Sequence, residues 1–294
     1  MDFCLVDEKN IKKFLEIGGK FLFTDTNYKD YTKGHLINSI HFPSACLRNT
    51  SFNFSDICVN DGMLPVQYID NESIIKLFIN ARLYKKDYIC VYGGKDDDVY
   101  ACIFVLYTLH KFGFNKVYYL NYDWNLLSQT YITLEFPMWK KYKEDVFSIK
   151  NTSINPDEIY HLLQTKKYKI LDVRSLTDYE GKTGVWMVKG HIPTAFNIFW
   201  KSLFVASNKN TDELIPTQKI IGINELKQKF KKYFNEKDKI IVYCNTGSEG
   251  SVAVFIMKFL FGWKNVKLLE KSFGCYQYLH QICPEFYPIV KIDK

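Results

Sequence analysis

IVYCNTGSEGSVAVFIMKFLFG, Ile241 to Gly262, is the stretch on which the fold turns. A short β-branched and aromatic run ends at Tyr243, a loop of small and polar residues begins at Cys244, and an apolar run follows. That order reads as a buried strand, a tight turn and a buried helix. Gly262 suits the left-handed position that closes a helix. A loop of glycine and small residues between a strand end and a helix start can aim several backbone N–H groups inward, and the helix adds partial positive charge. The cradle formed by Asn245, Thr246, Gly247, Ser248, Glu249 and Gly250 is therefore expected to stabilise a thiolate on Cys244 and lower its pKa. The same cradle would hold the outer sulfur of a persulfide or the oxyanion of a phosphate ester.

Working outward, the chain repeats this pattern once. DYICVY ends at Tyr92 and DKIIVY at Tyr243, 151 residues apart. The glycines that stop the following helices, Gly113 and Gly262, are 149 apart, as are Leu120 and Leu269 at the ends of the next strands and Trp124 and Phe273 beyond them. Nearer the start of each half, runs ending in Asp25 and Asp172 pair at 147 residues, and Gly34-His35 matches Gly190-His191 at 156. Offsets this uniform indicate duplication. Short apolar runs alternating with helical patterns predict an α/β architecture, each half a small, mostly parallel sheet with helices on both faces. Asn155-Pro156 opens the second copy as an N-cap followed by a first-turn proline. The predicted organisation is a first domain over 1–139, a linker over 140–150 and a second domain over 151–294.

The 294 residues suffice for two such domains, and 47% apolar against 24% charged residues is a globular composition. No run is long and uncharged enough for a membrane span, and MDFCLVDEKN lacks the pattern of a secretory leader. The eight cysteines form no CxxC pair, which points away from zinc and from a disulfide framework. They are expected as thiols in a reducing compartment, so the predicted location is cytoplasmic. The net charge of +7 is uneven. Residues 1–147 hold 17 Lys and Arg against 18 Asp and Glu, while 148–294 hold 22 against 14. The positive half, which contains Cys244, suits a small anionic ligand. Nucleic acid is not expected, because no recognition motif accompanies the charge.

LDVRSLTDYEGKTGVWMVKGHIPTAFNIFW, with Asp172, Arg174, Gly181, the Gly190-His191-Ile192-Pro193 turn and Ala195, resembles the opening motif of a second rhodanese domain. The loop with cysteine first and glycine fourth, and Ser272-Phe273 in LLEKSFGCYQYL, are similar to the same family. KGHLINSIHFPSA is a weaker copy in the first half, and Gly62-Met63-Leu64-Pro65 resembles a segment of mercaptopyruvate and thiosulfate sulfurtransferases. The resemblance implies a tandem sulfurtransferase in which Cys244 carries sulfur as a persulfide and Arg174 binds the donor's anionic group. It also implies a thiol acceptor such as thioredoxin or glutathione, or cyanide, and no cofactor or metal. The first half has Gly93-Gly94-Lys95-Asp96-Asp97-Asp98 in place of the loop and no cysteine there, so its domain is expected to be non-catalytic.

Neutral Asn245 and Thr246 after the cysteine resemble the 3-mercaptopyruvate branch more than the thiosulfate branch, which carries cations there. The second arginine of the mercaptopyruvate enzymes is missing from Asp178-Tyr179-Glu180-Gly181, where Lys182 and Lys189 are the nearby cations. Glu249 is unusual at the rim of an anion cradle; turned inward, it would raise the Cys244 pKa. His35 and His191 read as structural parts of their turns rather than general bases, and Cys275 and Cys283 as packing residues rather than resolving thiols. A related phosphatase would need an arginine six residues after the cysteine, where Gly250 stands. The remaining alternatives are a catalytically inactive tandem module that binds a partner and a role in tRNA thiolation.

Overall fold

Apolar runs with no polar face build two sheets of the same design. The structure, a computed structural model, describes residues 4–48, 68–93, 98–141, 146–207 and 214–292. The strands are β1 (Leu5–Val6), β2 (Lys20–Phe23), β3 (His35–Leu36), β4 (Ser39–His41), β5 (Ile89–Tyr92), β6 (Val117–Leu120) and β7 (Ile132–Thr133), then β8 (Ser153–Ile154), β9 (Tyr168–Asp172), β10 (Phe196–Asn197), β11 (Phe204–Ala206), β12 (Pro216–Ile220), β13 (Lys239–Tyr243) and β14 (Val266–Leu269). The helices are α1 (Ile11–Glu16), α2 (Tyr28–Thr32), α3 (Asn71–Asn80), α4 (Tyr100–Lys111), α5 (Pro156–Gln164), α6 (Leu176–Tyr179), α7 (Ile223–Lys231), α8 (Gly250–Phe255) and α9 (Ser272–Ile282).

The first sheet runs β1-β6-β5-β2-β4 and the second β8-β14-β13-β9-β10, with every pairing parallel that joins β2, β5, β6, β9, β13 and β14 to their neighbours. Strand for strand the two orders are identical, which bears out the duplication and the α/β class. Each unit has its own core. Phe14, Phe21, Phe23, Tyr92 and Trp124 centre the first, and Ile170, Ile241, Tyr243, Phe273 and Tyr276 the second.

Register shows which residues correspond. Phe23 pairs with Tyr92 and Asp172 with Tyr243, while Thr24 and Val173 donate their N–H to those tyrosines' carbonyls. The counterpart of Asp172 is therefore Phe23, and Asp25 corresponds to Arg174. Matching the two halves on Asp25 and Asp172 places the first copy two residues out of step, because both strands end near an aspartate but at different depths. The corrected offset of 149 equals that of Leu120 and Leu269.

The unit boundaries also follow packing rather than chain order. Of the described residues, one unit groups 4–48, 68–93, 98–141, 146–151, 205–207 and 214–220, the other 152–204 and 221–292. Residues 205–207 and 214–220, expected in the second domain, join the first unit through β12. Tyr119 donates its hydroxyl to the Gln218 carbonyl at 2.6 Å, and Ile220 N–H donates to Asn121 Oδ1 at 2.7 Å. Residues 146–150 of the expected linker belong to the first unit as well. Phe147 meets Phe78 and Phe114, and Lys150 N–H donates to the Lys111 carbonyl at the end of α4. Gly62 to Pro65 and positions 94–97 of the first loop lie outside the described residues. Among the described residues no helix is long and apolar enough to cross a membrane.

Candidate active site

The Gly-His turns come first, because they fix the strand ends around the cysteine. His191 stacks on Tyr179 with ring centroids 3.8 Å apart and donates from Nδ1 to the Tyr179 carbonyl at 2.7 Å. His35 does the same with Tyr31, at 3.9 Å and 3.0 Å. The next residue in each copy, Ile192 or Leu36, donates its N–H to the hydroxyl of Tyr243 or Tyr92, in both cases at 3.1 Å. The histidines are thus structural in both copies, and burial pushes the His191 pKa below its usual value. Gly190 has φ +124°, and a Cβ there would sit 2.3 Å from the Val290 carbonyl oxygen, so only glycine fits.

Cys244 follows β13 and is 1% exposed. Its N–H donates to Ser272 Oγ at 3.1 Å, and its Sγ accepts the Gly247 N–H at 3.0 Å and lies 3.7 Å from Ser272 Oγ. Ser272 also bonds back to the Leu269 carbonyl and holds a left-handed φ of 49°, a costly conformation for a residue with a side chain. Gly247 has φ +98°, with the Glu270 carbonyl oxygen 2.2 Å from where its Cβ would be. The turn can therefore bring its N–H onto sulfur only with glycine at this position. The first N–H groups of α9 do not face a ligand: Phe273 and Gly274 donate to the carbonyls of Cys244 and Asn245.

The remaining loop side chains divide by partner. Asn245 Oδ1 accepts the Trp186 indole N–H at 3.1 Å, and Thr246 is half-buried. The Ser248 carbonyl accepts both the N–H and the hydroxyl of Ser251, at 3.0 Å and 2.6 Å, in the first turn of α8. Gly250 packs against Leu268, whose Cδ1 would lie 2.6 Å from an added Cβ. Glu249 points inward: its Oε2 is sealed from solvent and has no hydrogen-bond partner. Past α8 the helix widens to a π-turn at Ile256–Leu260, a local feature that recurs near functional sites.

The electrostatics reverse the expectation of a depressed thiol pKa. Burial pushes the Cys244 thiol far above the usual cysteine range, and the Glu249 charge and, more weakly, its hydrogen bonding add to the rise. The Gly250 N–H and Ser272 hydroxyl oppose this and are outweighed. A cradle of N–H groups lowers a thiol pKa only where it exceeds the desolvation cost, and here it does not. Alkylation of Cys244 by iodoacetamide should accordingly be slow at pH 7 and keep rising with pH beyond about 10, where an ordinary thiol with a pKa of about 8.5 has levelled off. A rate that levels off near neutral pH would show a thiolate already present.

Arg174, expected to grip the donor, is 3% exposed and committed elsewhere. Its Nε and Nη2 bond Asp172, Nη2 at 2.6 Å, and Nη2 also donates to the Gly190 carbonyl at 2.7 Å. The guanidinium lies 3.9 Å over the Phe273 ring. Asp172 sits two residues before it with no exposed surface, so the pair closes on itself and braces the Gly-His turn against Phe273.

Ser272 and Trp186 contact the cysteine loop directly and were not among the expected site residues. Ser272 could have been found from its place beside Phe273, the counterpart of Trp124; nothing in the spacing marks Trp186. In the first unit, Gly93 stands at the register position of Cys244, directly after Tyr92. A Cβ there would lie 3.0 Å from the Phe23 ring. Among the described residues no cluster of His, Cys, Asp and Glu could hold a metal.

The structure is a twice-built parallel α/β fold with one cysteine, Cys244, at the strand-to-helix turn of its second copy. Residues 155–277 match the family described as Rhodanese-like domain. A thiosulfate sulfurtransferase of Corynebacterium glutamicum is 23% identical over 80% of this chain and 76% of its own. A Synechococcus elongatus protein provisionally given the same name is 29% identical over 87% and 77%, and the sulfur carrier protein TtuD of Thermus thermophilus 26% identical over 81% and 82%. Among solved structures, Tum1 from Saccharomyces cerevisiae superposes with a TM-score of 0.71 at 21% identity over 99% of both chains. A persulfide form of EanB with ergothioneine gives 0.76 at 17% identity, covering 99% of this chain and 71% of that one. Residues 155–277 thus match a rhodanese-like domain, and the curated relatives that span most of the chain are named as sulfurtransferases and a sulfur carrier.

Proposed function

We propose that this chain is a sulfurtransferase in which Cys244 takes sulfane sulfur from a small anionic donor and passes it, as a persulfide, to an acceptor. The observation that carries the reading is the Gly247 N–H held 3.0 Å from Sγ by a turn that only glycine can make. An N–H fixed on sulfur stabilises negative charge as it develops there, without reorganisation at the moment of reaction. We favour 3-mercaptopyruvate over thiosulfate. Asn245 and Thr246 put no cation on the loop, Arg174 is neutralised by Asp172, and Glu249 adds negative charge. A dianion fares worse in such a site than a monoanion. The acceptor class is a thiol, such as thioredoxin or glutathione, or cyanide, since a persulfide's outer sulfur is open to attack by either.

Incubation with each donor, followed by intact mass and peptide mapping, tests this. The protein should gain one sulfur atom on the peptide containing Cys244, faster from 3-mercaptopyruvate. No gain from either donor would remove the catalytic reading. It would favour instead a tandem module that binds a partner, for which the inward Glu249 is the supporting observation.

A further inference from the structure

A buried carboxylate oxygen without a hydrogen bond costs stability and calls for an explanation. Glu249 Oε2 is such an atom, and it belongs to the same six-residue turn as the buried Cys244 thiol. Two neighbouring polar side chains are engaged elsewhere. Asn245 is engaged by Trp186, and the Ser251 hydroxyl under the turn is engaged by the Ser248 carbonyl. His191 is turned away to the Tyr179 carbonyl and cannot serve as a base for sulfur.

We propose that Glu249 is the proton carrier of the Cys244 reaction, taking the thiol proton as sulfur attacks the donor and returning it to the carbon that the donor's sulfur leaves. This rests on the reading of Cys244 as the sulfur carrier. The step balances for a 3-mercapto-2-oxo acid. The Cys244 S–H proton moves to Glu249, and the sulfur pair forms the S–S bond to the donor's sulfur. The donor's C–S bond breaks with its pair going to carbon, as an enolate. Glu249 then protonates that carbon, giving a methyl ketone and a free carboxylate. Sulfur of Cys244 is oxidised to the persulfide, the donor's carbon is reduced, and the donor's own thiol proton stays on the outer sulfur. The raised thiol pKa is what makes a base necessary at neutral pH. With thiosulfate the thiol proton must leave in the same way, but sulfite departs with the bonding pair and needs no proton back, so Glu249 would lose it to solvent, and the donor's two charges meet the carboxylate. Glu249 thus selects donors with a carbon leaving group.

Glu249→Gln and Glu249→Asp in the full chain test the assignment. Three rates are followed: pyruvate formed from 3-mercaptopyruvate, sulfite released from thiosulfate, and alkylation of Cys244 by iodoacetamide at pH 7. In Glu249→Gln, pyruvate formation should fall by about 10²-fold or more, the size of a lost acid-base group. Sulfite release should fall less, because only the base and not the returned proton is lost there, while alkylation, which draws on the thiolate already present, should rise as the opposing charge is removed. Glu249→Asp should recover part of the pyruvate rate. Pyruvate formation unchanged or faster in the Gln variant, or an equal fall with both donors, overturns the proposal alone. If the native protein itself adds no sulfur to Cys244 from either donor, the sulfur-carrier reading fails and takes the proposal with it.

Discussion

Cys244→Ser is expected to take up no sulfur from either donor while remaining folded. The substitution removes one property and keeps the rest. A serine oxygen still accepts the Gly247 N–H, and its backbone N–H still reaches Ser272 Oγ. An alcohol at this site is neither ionised nor polarisable enough to attack sulfur, so turnover should drop on the order of 10⁶-fold, as when a covalent nucleophile is deleted. The stability cost should be about 1 kcal/mol, from placing a hydroxyl where a thiol was fully buried. The buried cysteines of the first unit do not compensate. Cys90 and Cys102 are fully buried, with thiols pushed up by burial, Cys102 to about 12, and Cys102 is engaged with Gly93 O at 2.7 Å and Thr24 at 3.0 Å. Sulfur found on the variant by peptide mapping at the native rate would show that Cys244 is not the carrier.

The fold around that cysteine is legible in the sequence. The period near 149 residues, the parallel strands and the glycine-bearing turn were all readable, because buried parallel strands leave unbroken apolar runs and positive φ leaves glycine. The shared ring stacking and Nδ1 hydrogen bond at His35 and His191 are what a structural part in each turn predicts, and His35 adds an Nε2 contact to the Glu135 carbonyl. Charge was harder. Arg174 and Asp172 are two residues apart in a strand end and its loop, and spacing does not tell whether a guanidinium turns outward to a ligand or back onto its neighbour. The sign of the Cys244 shift was not readable either, since it depends on whether Glu249 faces inward and how deeply the thiol is buried. Nor could the β11–β12 segment be placed by chain order, because what assigns it to the first unit is Gln218 meeting Tyr119 and Trp124.

The deepest consequence of that buried pair is for stability. Asp172→Ala should cost about 3–5 kcal/mol, because it leaves the Arg174 charge buried without its counterion. The first unit shows that the pair is not required by the fold. At the equivalent place Phe23 packs against Tyr92 and Trp124, with ring centroids 5.2 Å and 5.6 Å away. A second substitution, Arg174→Met, should therefore recover much of the loss in the Asp172→Ala background, since an apolar filling works in the sister sheet. Sulfur loading should not recover with it. Arg174 lies over Phe273, the residue after Ser272, and Ser272 receives the Cys244 N–H, so the guanidinium braces the ring next to the residue that holds the cysteine turn. Denaturant unfolding gives the first result and the mass assay the second. Asp172→Ala unfolding within about 0.5 kcal/mol of the native protein would mean that Arg174 finds another partner. Full loading in the double variant would mean that Phe273 holds the turn unaided.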